Sequence, residues 1–416
     1  MNRRQVFLVL AVASCMLTMS RAEDWPQWRG PQRDGISKET GLLKKWPQGG
    51  PKLVWQIKDV GSGYSTPSVV GDHLFVLGNE GNENEFVQCR SVTDGKQLWS
   101  TRIGKVGNPD QRPSYPAARS TPTVDGQSLY VLGSDGDLAC LETATGKIVW
   151  QKNVRNEFGG KPGEWAYSES PLVDGDALVC TPGGPGAAMV ALNKKDGSLI
   201  WKAAVPGDDA AAYSSIIKAE TAGVTQYIQM VAKGVVGIEA KTGKFLWRYD
   251  RTGSGPANIP TPVANDSGVY TGGARAGAGL VQLKAGDGKV EAKEVYFDPK
   301  LPAAIGGFIC LGDNLFGTGS AGIMCVDFKS GKVKWTERGI GTGSLCFADG
   351  RLYLHGENGD LALIEPSPAG YREVGKFTPA SAPDRGSSKA WAYPVVANGK
   401  LYVRDVNSIW CYDIHE

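Results

Sequence analysis

Tryptophans recur along this chain at a nearly constant spacing, and this regularity constrains the fold more than any other feature. Trp99, Trp150, Trp201 and Trp247 follow one another at intervals of 51, 51 and 46 residues, and Trp335 comes 88 residues later, near two periods. Each lies four residues after a glycine in a short turn, as in CLETATGKIVW and CVDFKSGKVKW. A period in this range is typical of repeat proteins in which each unit is one supersecondary structure.

Each repeat is predicted to be a four-stranded unit. Two apolar runs joined by a Gly, Asp or Asn turn come first, as in STPSVVGDHLFVLG, and they have the pattern of an antiparallel hairpin. A third run carries a small residue and an acid, and a glycine turn then leads into the tryptophan run. Four short strands at this period predict an all-β fold, an eight-bladed β-propeller of four-stranded antiparallel blades. The units begin near Ser65, Ser120, Glu169, Tyr213, Pro260, Gly306, Gly343 and Ala392.

Three units depart from the full pattern. SLCFADGRLYLHGENGDLALIEPSPAGYREV keeps the strands but loses the tryptophan motif. GLVQLKAGDGKVEA keeps the glycine turn but has Ala292 where tryptophan is expected, and the last unit, ending SIWCYDIHE, stops after its third strand. Near the N-terminus, GGPKLVWQI carries Trp55 without a preceding hairpin. Because unpaired edge strands are a liability that ring closure removes, we expect Lys52–Ile57 to complete the eighth blade. Residues 51–416 are thus predicted to form one closed propeller.

The turn-and-tryptophan block resembles the tryptophan-docking motif of the quinoprotein, or PQQ-like, propellers, A-x-D-x-x-T-G-x-x-x-W. CLETATGKIVW matches this motif closely, the resemblance covers about residues 24–416, and DWPQWRGPQRDGIS looks like the lead-in segment of many such propellers. The family includes dehydrogenases and non-catalytic scaffolds, so the resemblance indicates the fold more strongly than the activity. We expect the docking tryptophans to be structural, each stacking over a glycine turn of a neighbouring repeat and donating its indole N–H to backbone: Trp55, Trp99, Trp150, Trp201, Trp247 and Trp335.

The first 50 residues are predicted to contain an export signal and an arm. Residues 1–22 combine two arginines, an apolar run and Ser20-Arg21-Ala22, which are the features of a cleaved signal peptide. VASC also resembles the lipobox of bacterial lipoproteins, in which Cys15 would carry a lipid and attach the protein to a membrane. Both readings place the protein outside the cytoplasm, in the periplasm or another extracytoplasmic space. Residues 23–50, with Trp25 and Trp28, are expected to form a strap pinned across the ring.

Composition disfavours several classes of site. Without residues 1–22 the chain has 42 basic and 43 acidic residues and no basic cluster, so no nucleic-acid partner is expected. Three histidines in the whole chain disfavour a histidine-based metal site, and no metal is predicted. Most cysteines recur at one repeat position, too far apart to pair, and are expected to be small buried thiols. Cys310 and Cys346, on adjacent first strands, remain a minor disulfide possibility.

The channel mouth carries the candidate binding residues. Ser or Thr occupies one aligned position before most first strands, where it could form a hydroxyl ring or cap the strand locally: Thr66, Thr121, Ser170, Ser214, Thr261 and Ser344. Long Gly- and Pro-rich loops between blades bring larger groups to the same end, and loops on a rigid scaffold often carry binding sites. The predicted ligand- or partner-binding residues are Tyr64, Arg119, Trp165, Tyr167, Tyr213, Asn258, Trp391 and Tyr393.

Two functional hypotheses follow from the resemblance. The first is an exported, non-catalytic scaffold without cofactor that binds a protein or polymer, similar to the BamB-like propeller of the outer-membrane barrel-assembly machinery. The alternative is a dehydrogenase dependent on pyrroloquinoline quinone (PQQ) and calcium, acting on alcohols, sugars or polyvinyl alcohol. In the family's alcohol dehydrogenases a tryptophan forms the floor and oxygen ligands hold calcium, which suggests Trp165 as floor and these oxygen donors: Glu164, Glu169, Asp250, Asn258 and Asp384. The adjacent-cysteine lid of those enzymes is absent from the sequence, and no catalytic residue is assigned.

Overall fold

The computed structural model describes residues 23–110, 118–221, 223–253, 255, 257–286 and 289–416. In these residues, 33 strands form eight sheets, and the helix Val154–Glu157 is the single α-helix. The sheets are the blades of an eight-bladed β-propeller, which confirms the predicted fold. No helix in the described ranges is long and apolar enough to cross a membrane.

Blades 1 to 4 are four-stranded and antiparallel, and each runs from the central channel outwards in chain order. Blade 1 comprises Ser68–Val70, His73–Glu80, Asn84–Ser91 and Gln97–Gly104. Blade 2 comprises Thr123–Asp125, Ser128–Leu132, Asp137–Glu142 and Ile148–Asn153. Blade 3 comprises Leu172–Asp174, Ala177–Cys180, Met189–Asn193 and Leu199–Ala203. Blade 4 comprises Ile217–Thr221, Val224–Val231, Gly234–Glu239 and Phe245–Tyr249.

Blades 5 to 8 follow the same plan with two additions from the N-terminal segment. Blade 5 comprises Val263–Asn265, Gly268–Gly273, Gly277–Gly286 and Lys289–Asp298. Blade 6 comprises Phe308–Leu311, Asn314–Gly319, Gly322–Asp327 and Val333–Glu337. Blade 7 comprises Gly343–Ala348, Arg351–Gly356, Leu361–Ile364 and Glu373–Phe377, with Ile36–Ser37 added in parallel on its channel side. Blade 8 comprises Val395–Ala397, Lys400–Asp405, Ser408–Asp413 and, outermost, Lys52–Ile57.

The ring closes by pairing the two ends of the chain, as predicted. Lys52–Ile57 runs antiparallel to Ser408–Asp413, with Trp55 opposite Cys411. In the second strand of blade 8, the buried Arg404 donates hydrogen bonds to the carbonyl oxygens of Ser65 and Leu77 in the first repeat. The last blade is therefore joined to the first part of the chain at both places.

The hydrophobic core lies mainly between neighbouring blades. In one cluster, Phe75 and Leu77 of blade 1 pack with Leu129 and Val131 of blade 2, and all four are almost fully buried. The outermost strands face solvent on one side, as Leu98 shows with half of its surface exposed. Every blade thus depends on its two neighbours to cover its faces.

Five of the six docking tryptophans reach the next blade. Their indole N–H groups donate to backbone carbonyl oxygens there, over distances of 2.7 to 3.2 Å: Trp55 to Val92, Trp99 to Thr143, Trp150 to Lys194, Trp201 to Ala240 and Trp335 to Ser367. Trp247 differs, because its indole donates to the side-chain oxygen of Gln226 in its own blade at 2.6 Å. Trp247 follows the same glycine turn as Trp99, Trp150, Trp201 and Trp335, so this turn does not reveal the exception.

The two blades without a tryptophan motif fill the same position in other ways. In blade 5 the outer hairpin is longer than expected, so Ala292 pairs with Leu283 near the turn, and Tyr296, farther from the turn, takes the docking position. The Tyr296 hydroxyl donates to the carbonyl oxygen of Phe328 in blade 6 at 2.7 Å. In blade 7 the corresponding residue is Gly375, and a Cβ there would lie 2.5 Å from the Cβ of Trp46, which occupies the space instead.

All seven cysteines in the described part of the chain are free thiols. The disulfide possibility for Cys310 and Cys346 is therefore not realised in this structure. Cys346 is buried, and burial raises the pKa of its thiol well above the usual value. Cys310 is half-buried, with its sulfur 3.4 Å from the carbonyl oxygen of Gly312.

Candidate functional site

The N-terminal arm, residues 23–50, enters the ring at its base, the end where the first and second strands of each blade are joined by a turn. The Asp24 carboxylate accepts a hydrogen bond from the backbone N–H of Gly71 in the turn of blade 1. The Glu39 carboxylate accepts from the backbone N–H groups of Asn398 and Gly399 in the equivalent turn of blade 8. The arm therefore both begins and leaves at the base.

Between these two points, residues 25–37 lie inside the channel, and we call them the plug. Trp25 forms a backbone bridge with Val69 of blade 1, and Ile36 pairs with Phe347 of blade 7. Among the described residues, hydrogen bonds connect the arm to seven blades, all but blade 4, at the first strand, at its start or in the turn that follows it. The expected strap across the ring is thus a segment inserted into it.

Two arginines of the plug are buried in the channel. Arg33 donates to the carbonyl oxygen of Ser170 in blade 3 at 2.8 Å, and Arg29 donates to the carbonyl oxygen of Phe308 in blade 6. Gly307, the one glycine at the aligned hydroxyl position, gives Arg29 its space, since a Cβ there would collide with the guanidinium. Burial lowers the pKa of both guanidinium groups. The plug is therefore fitted to this particular channel.

The strand-start hydroxyls join neighbouring blades. The Ser170 hydroxyl of blade 3 accepts from the Thr121 N–H of blade 2 at 2.8 Å, and the Thr66 hydroxyl of blade 1 accepts from the Tyr393 N–H of blade 8 at 3.0 Å. In blade 4 this role falls to Ser215, one residue after the predicted Ser214, which accepts from the Ser170 N–H at 3.0 Å. These hydroxyls form inter-blade hydrogen bonds, neither of the two roles considered from sequence.

A cavity of about 340 Å³ opens at the channel mouth, opposite the base. We call it the cup. Seven of the eight blades, all but blade 7, contribute described residues to its wall, and the plug contributes Trp28. The lining residues are Trp28, Tyr64, Arg119, Trp165, Ser168, Tyr213, Ala257, Ile259, Ile305, Trp391 and Tyr393.

The aromatic side chains of the cup support one another in pairs. Tyr64 lies against Trp391 with ring centroids 4.9 Å apart, and Trp165 lies against Tyr213 at 5.9 Å. Trp28 meets Tyr393 edge-to-face at 4.6 Å. Such tilted and edge-to-face arrangements are favourable for aromatic rings. The wall is therefore preorganised by contacts among its own residues.

Hydrogen bonds fix the same rings. The Trp28 indole donates to the Thr261 hydroxyl at 3.1 Å, and the Tyr393 hydroxyl donates to the carbonyl oxygen of Ile305 at 2.8 Å. The Tyr213 hydroxyl accepts from the backbone N–H of Trp165 at 3.0 Å. Trp28 thus connects the arm to blade 5 at the level of the cup floor.

Arg119 is the one ionised side chain among the described residues that line the cup. Its guanidinium lies 5.4 Å from the centre of the Tyr64 ring, within cation–π range. Burial lowers its pKa, and the neighbouring Tyr64, Tyr213 and Glu85 oppose that shift. An arginine keeps its charge at neutral pH because its intrinsic pKa is far higher.

Glu169 and Glu85 are fully buried carboxyl groups whose pKa values are raised. Burial raises the pKa of Glu169 to about 8 and that of Glu85 to about 7. Glu169 accepts hydrogen bonds from the backbone N–H and hydroxyl of Thr181, and Arg33 of the plug lies near enough to oppose the shift. Glu85 accepts from the backbone N–H and hydroxyl of Ser134. Both groups lie outside the lining of the cup.

The structure brings together six of the eight residues predicted at the channel mouth: Tyr64, Arg119, Trp165, Tyr213, Trp391 and Tyr393. Tyr167 is buried, and its hydroxyl donates to the carbonyl oxygen of Pro182. Asn258 is also buried, and its amide donates to the carbonyl oxygens of Val231 and Ala232. Neither of these two side chains lines the cup.

Five lining residues were not assigned to the site from sequence: Trp28, Ser168, Ala257, Ile259 and Ile305. A repeat signal was available for three of them. Ser168, Ile259 and Ile305 each immediately precede the start of a repeat unit, the same position that Tyr64, Arg119 and Trp391 occupy. Trp28 comes from outside the repeats, so only the path of the arm identifies it.

The oxygen donors considered for calcium do not converge on the cup. None of the five lines it, Glu169 is engaged with Thr181, and Asp250 forms an ion pair with Arg248 at 2.7 Å. Across the residues that the structure describes, no group of three or more His, Cys, Asp or Glu side chains is placed to hold a metal ion. Calcium prefers six to eight oxygen ligands, usually with carboxylates among them. The lining of the cup therefore does not fit a calcium-bound quinone centre.

Comparison with known proteins was made at the level of family, sequence and structure. Residues 83–337, well over half of the chain, match the family model described as outer membrane protein assembly factor BamB. The chain belongs to this BamB family. The finding confirms the PQQ-like propeller family expected from the tryptophan motifs.

Two sequence relatives illustrate the range of this similarity. The chain is 25% identical over 265 residues to an outer membrane protein assembly factor BamB from Burkholderia pseudomallei, which covers 60% of both chains. It is 24% identical over 224 residues to a tetrathionate hydrolase from Acidithiobacillus ferrooxidans, covering 52% of this chain and 40% of the relative. The match thus spans less than two thirds of either relative.

Solved structures share the fold at low sequence identity. BamB from Moraxella catarrhalis has a TM-score of 0.60 at 12% identity, covering 87% of this chain and 97% of the other. A quinohemoprotein alcohol dehydrogenase from Comamonas testosteroni has a TM-score of 0.52 at 13% identity, covering 94% and 80%. These likenesses concern the fold alone.

Proposed function

We propose that this BamB-family propeller is an exported, non-catalytic scaffold that binds a protein or polymeric partner through the cup and its surrounding loops. The observation that carries the proposal is the cup itself. Seven blades and the plug build one preorganised aromatic cavity at the channel mouth, the end where the long inter-blade loops also lie. Aromatic residues and arginine are the side chains most enriched at the energetic centres of protein interfaces.

The closed channel supports a binding role for the mouth. The plug fills the channel, and both arginines that it buries there are held by carbonyl oxygens of the blades. The mouth is consequently a cavity with a floor, and a partner would contact a rigid surface. A rigid surface loses little conformational entropy when it binds, which favours affinity.

Membership of this family supports an extracytoplasmic location. Its name describes factors that assemble outer membrane proteins, and residues 1–22, which carry the predicted export signal, lie outside the described residues. The same is true of Cys15, the residue proposed to carry a lipid. Periplasmic location, with or without a lipid anchor, is part of the proposal.

Site-specific photo-crosslinking in the native host tests the binding role. A photoreactive phenylalanine derivative would replace Trp391 in the cup wall, and the matched control would replace Leu98 on the exposed outer strand of blade 1. We expect one or a few defined adducts from the cup position and none of the same mass from the control. Identical adduct patterns from both positions would contradict binding through the cup.

The dehydrogenase alternative is tested on the purified protein. We expect no saturable binding of PQQ with calcium at micromolar quinone, and no dye reduction with alcohols, aldoses or polyvinyl alcohol. Saturable quinone binding with turnover would overturn the non-catalytic proposal. A quinone site elsewhere on the ring would give the same positive result. The assay therefore tests for a quinone site anywhere in the protein.

A further inference from the structure

The cup has a polar side and an apolar side. Among the described lining residues, Arg119 supplies the one positive charge, next to the rings of Tyr64 and Tyr213. Ala257, Ile259 and Ile305, from blades 5 and 6, supply an aliphatic portion of the wall. A ligand that matches both sides must have an apolar body and an anionic group.

The lining argues against a carbohydrate as the principal ligand. Sugar hydroxyls lose their water on binding and need several hydrogen-bonding partners to compensate. Apart from Arg119, the polar side-chain groups of the described lining are the hydroxyls of Ser168 and three tyrosines and the indole N–H groups of three tryptophans. Four of these groups are already engaged within the protein: those of Tyr213, Tyr393, Trp28 and Trp391. Burial of a neutral sugar here would leave most of its hydroxyls unpaired.

The lining favours a flat ring system instead. Three pairs of aromatic side chains, held 4.6 to 5.9 Å apart, line the cup. Aromatic ligands gain both buried area and ring–ring contacts against such walls. The cavity of about 340 Å³ lies at the small end of the usual range for ligand sites, which suits one or two fused rings.

The charge of the cup indicates which anionic group the ligand carries. A guanidinium binds carboxylate and phosphate through paired N–H donors. A phosphate monoester carries more than one negative charge at neutral pH, whereas the described lining holds a single cation. A monovalent carboxylate matches that charge.

We infer that the cup binds an aromatic carboxylate, with the carboxylate on Arg119 and the ring system between the aromatic and aliphatic walls. This inference rests on the proposed function and deepens it, because it names the chemistry that the partner presents. The group could be a free aromatic acid or an aromatic residue beside an acidic residue in a partner protein. Both sources place a ring and a carboxylate within the same few ångströms.

Isothermal titration calorimetry in EDTA tests the inference with 2-naphthoate and its neutral analogue 2-naphthamide. For a ligand of this size we expect a dissociation constant on the order of 0.1 to 1 mM for the acid. The amide should bind about ten-fold more weakly or worse, because a hydrogen bond to a charged group is lost. Equal affinity for acid and amide, or no binding of the acid at about 10 mM, would overturn the inference.

Variants assign the effect to the cup. Arg119→Gln should remove the preference for acid over amide, and Arg119→Lys should retain part of it because the charge remains. The matched control, Arg338→Gln, makes the same charge change at an exposed residue of the ring and should bind as the unmodified protein does. Thermal unfolding of each variant excludes misfolding as the cause. If the preference survives in Arg119→Gln, the assignment is wrong.

Titration with peptides distinguishes a free aromatic acid from a segment of a partner protein. An end-blocked peptide with an internal Trp-Asp pair would be compared with its Trp-Asn counterpart in the same titration. Tighter binding of the Trp-Asp peptide than of 2-naphthoate supports a protein segment, and the reverse order supports a free acid. Quinone turnover together with Arg119-dependent naphthoate binding would contradict the scaffold role and leave this inference intact, so the two can fail separately.

Discussion

Glu169 should make the stability of the ring depend on pH. It is almost fully buried at the start of blade 3, and burial raises the pKa of its carboxyl from 4.5 to about 8. Because the folded pKa lies above the unfolded value, the folded state holds the proton more tightly. The stabilisation from this group is therefore fully present below about pH 4.5 and is lost as the pH rises through about 8.

The size of the effect follows from the shift. One pKa unit corresponds to about 1.4 kcal/mol, so the change between pH 5 and pH 8.5 is about 4 kcal/mol. With an unfolding entropy of about 2.1 cal/mol/K per residue, a chain of this length loses roughly 5 °C in melting temperature. Glu169→Gln keeps the shape of the protonated acid but cannot ionise, so its melting temperature should fall by about 5 °C less over the same range.

Differential scanning fluorimetry of both proteins from pH 5 to pH 8.5 measures this difference. Glu85→Gln is the matched control, since burial raises the pKa of Glu85 to about 7 and its contribution should be lost at lower pH. The Arg33 guanidinium opposes the shift at Glu169, so Arg33→Gln should move the transition of that group to higher pH. Parallel profiles for Glu169→Gln and the unmodified protein would refute the argument.

Three further outcomes are expected. Trp55→Ala should lower the melting temperature by about 4 to 6 °C, as for other buried tryptophans, whereas Leu98→Ala on an exposed strand should change it by less than about 1 °C. Trp46→Ala should lower the melting temperature by a similar amount. In hydrogen exchange, this variant should lose amide protection in the outer strand of blade 7 before the other strands. With a thiol reagent at pH 8, half-buried Cys310 should react before unfolding and buried Cys346 only after it, as peptide mass mapping would show.

The blades could be predicted because the repeat carries its own signals. Glycine turns, paired apolar runs and the tryptophan position recur in most units, and the incomplete last unit identified Lys52–Ile57 as its missing strand. Prediction was wrong where an irregular unit used another residue. The longer hairpin of blade 5 moves the docking position from Ala292 to Tyr296, and no local pattern reports hairpin length.

The site was predictable in part for the same reason. Tyr64, Arg119 and Trp391 were found because they are large groups at one position of the repeat, whereas Ile259 and Ile305 at that position looked like ordinary apolar residues. The plug could not be derived, because several of its contacts join residues more than 200 positions apart. Only the folded ring shows that an arm outside the repeats reaches the cup.

Insertion of the arm also governs when this protein can finish folding. The first described segment of the chain makes its native contacts with the last, as Glu39 does with Asn398. At a synthesis rate of about 5 to 20 residues per second, roughly 20 to 70 s separate the appearance of these two partners. During that interval the tryptophan-rich arm has no ring to enter, and the early blades have an open side. Completion of the fold is therefore a single late event in which the arm is captured as the ring shuts.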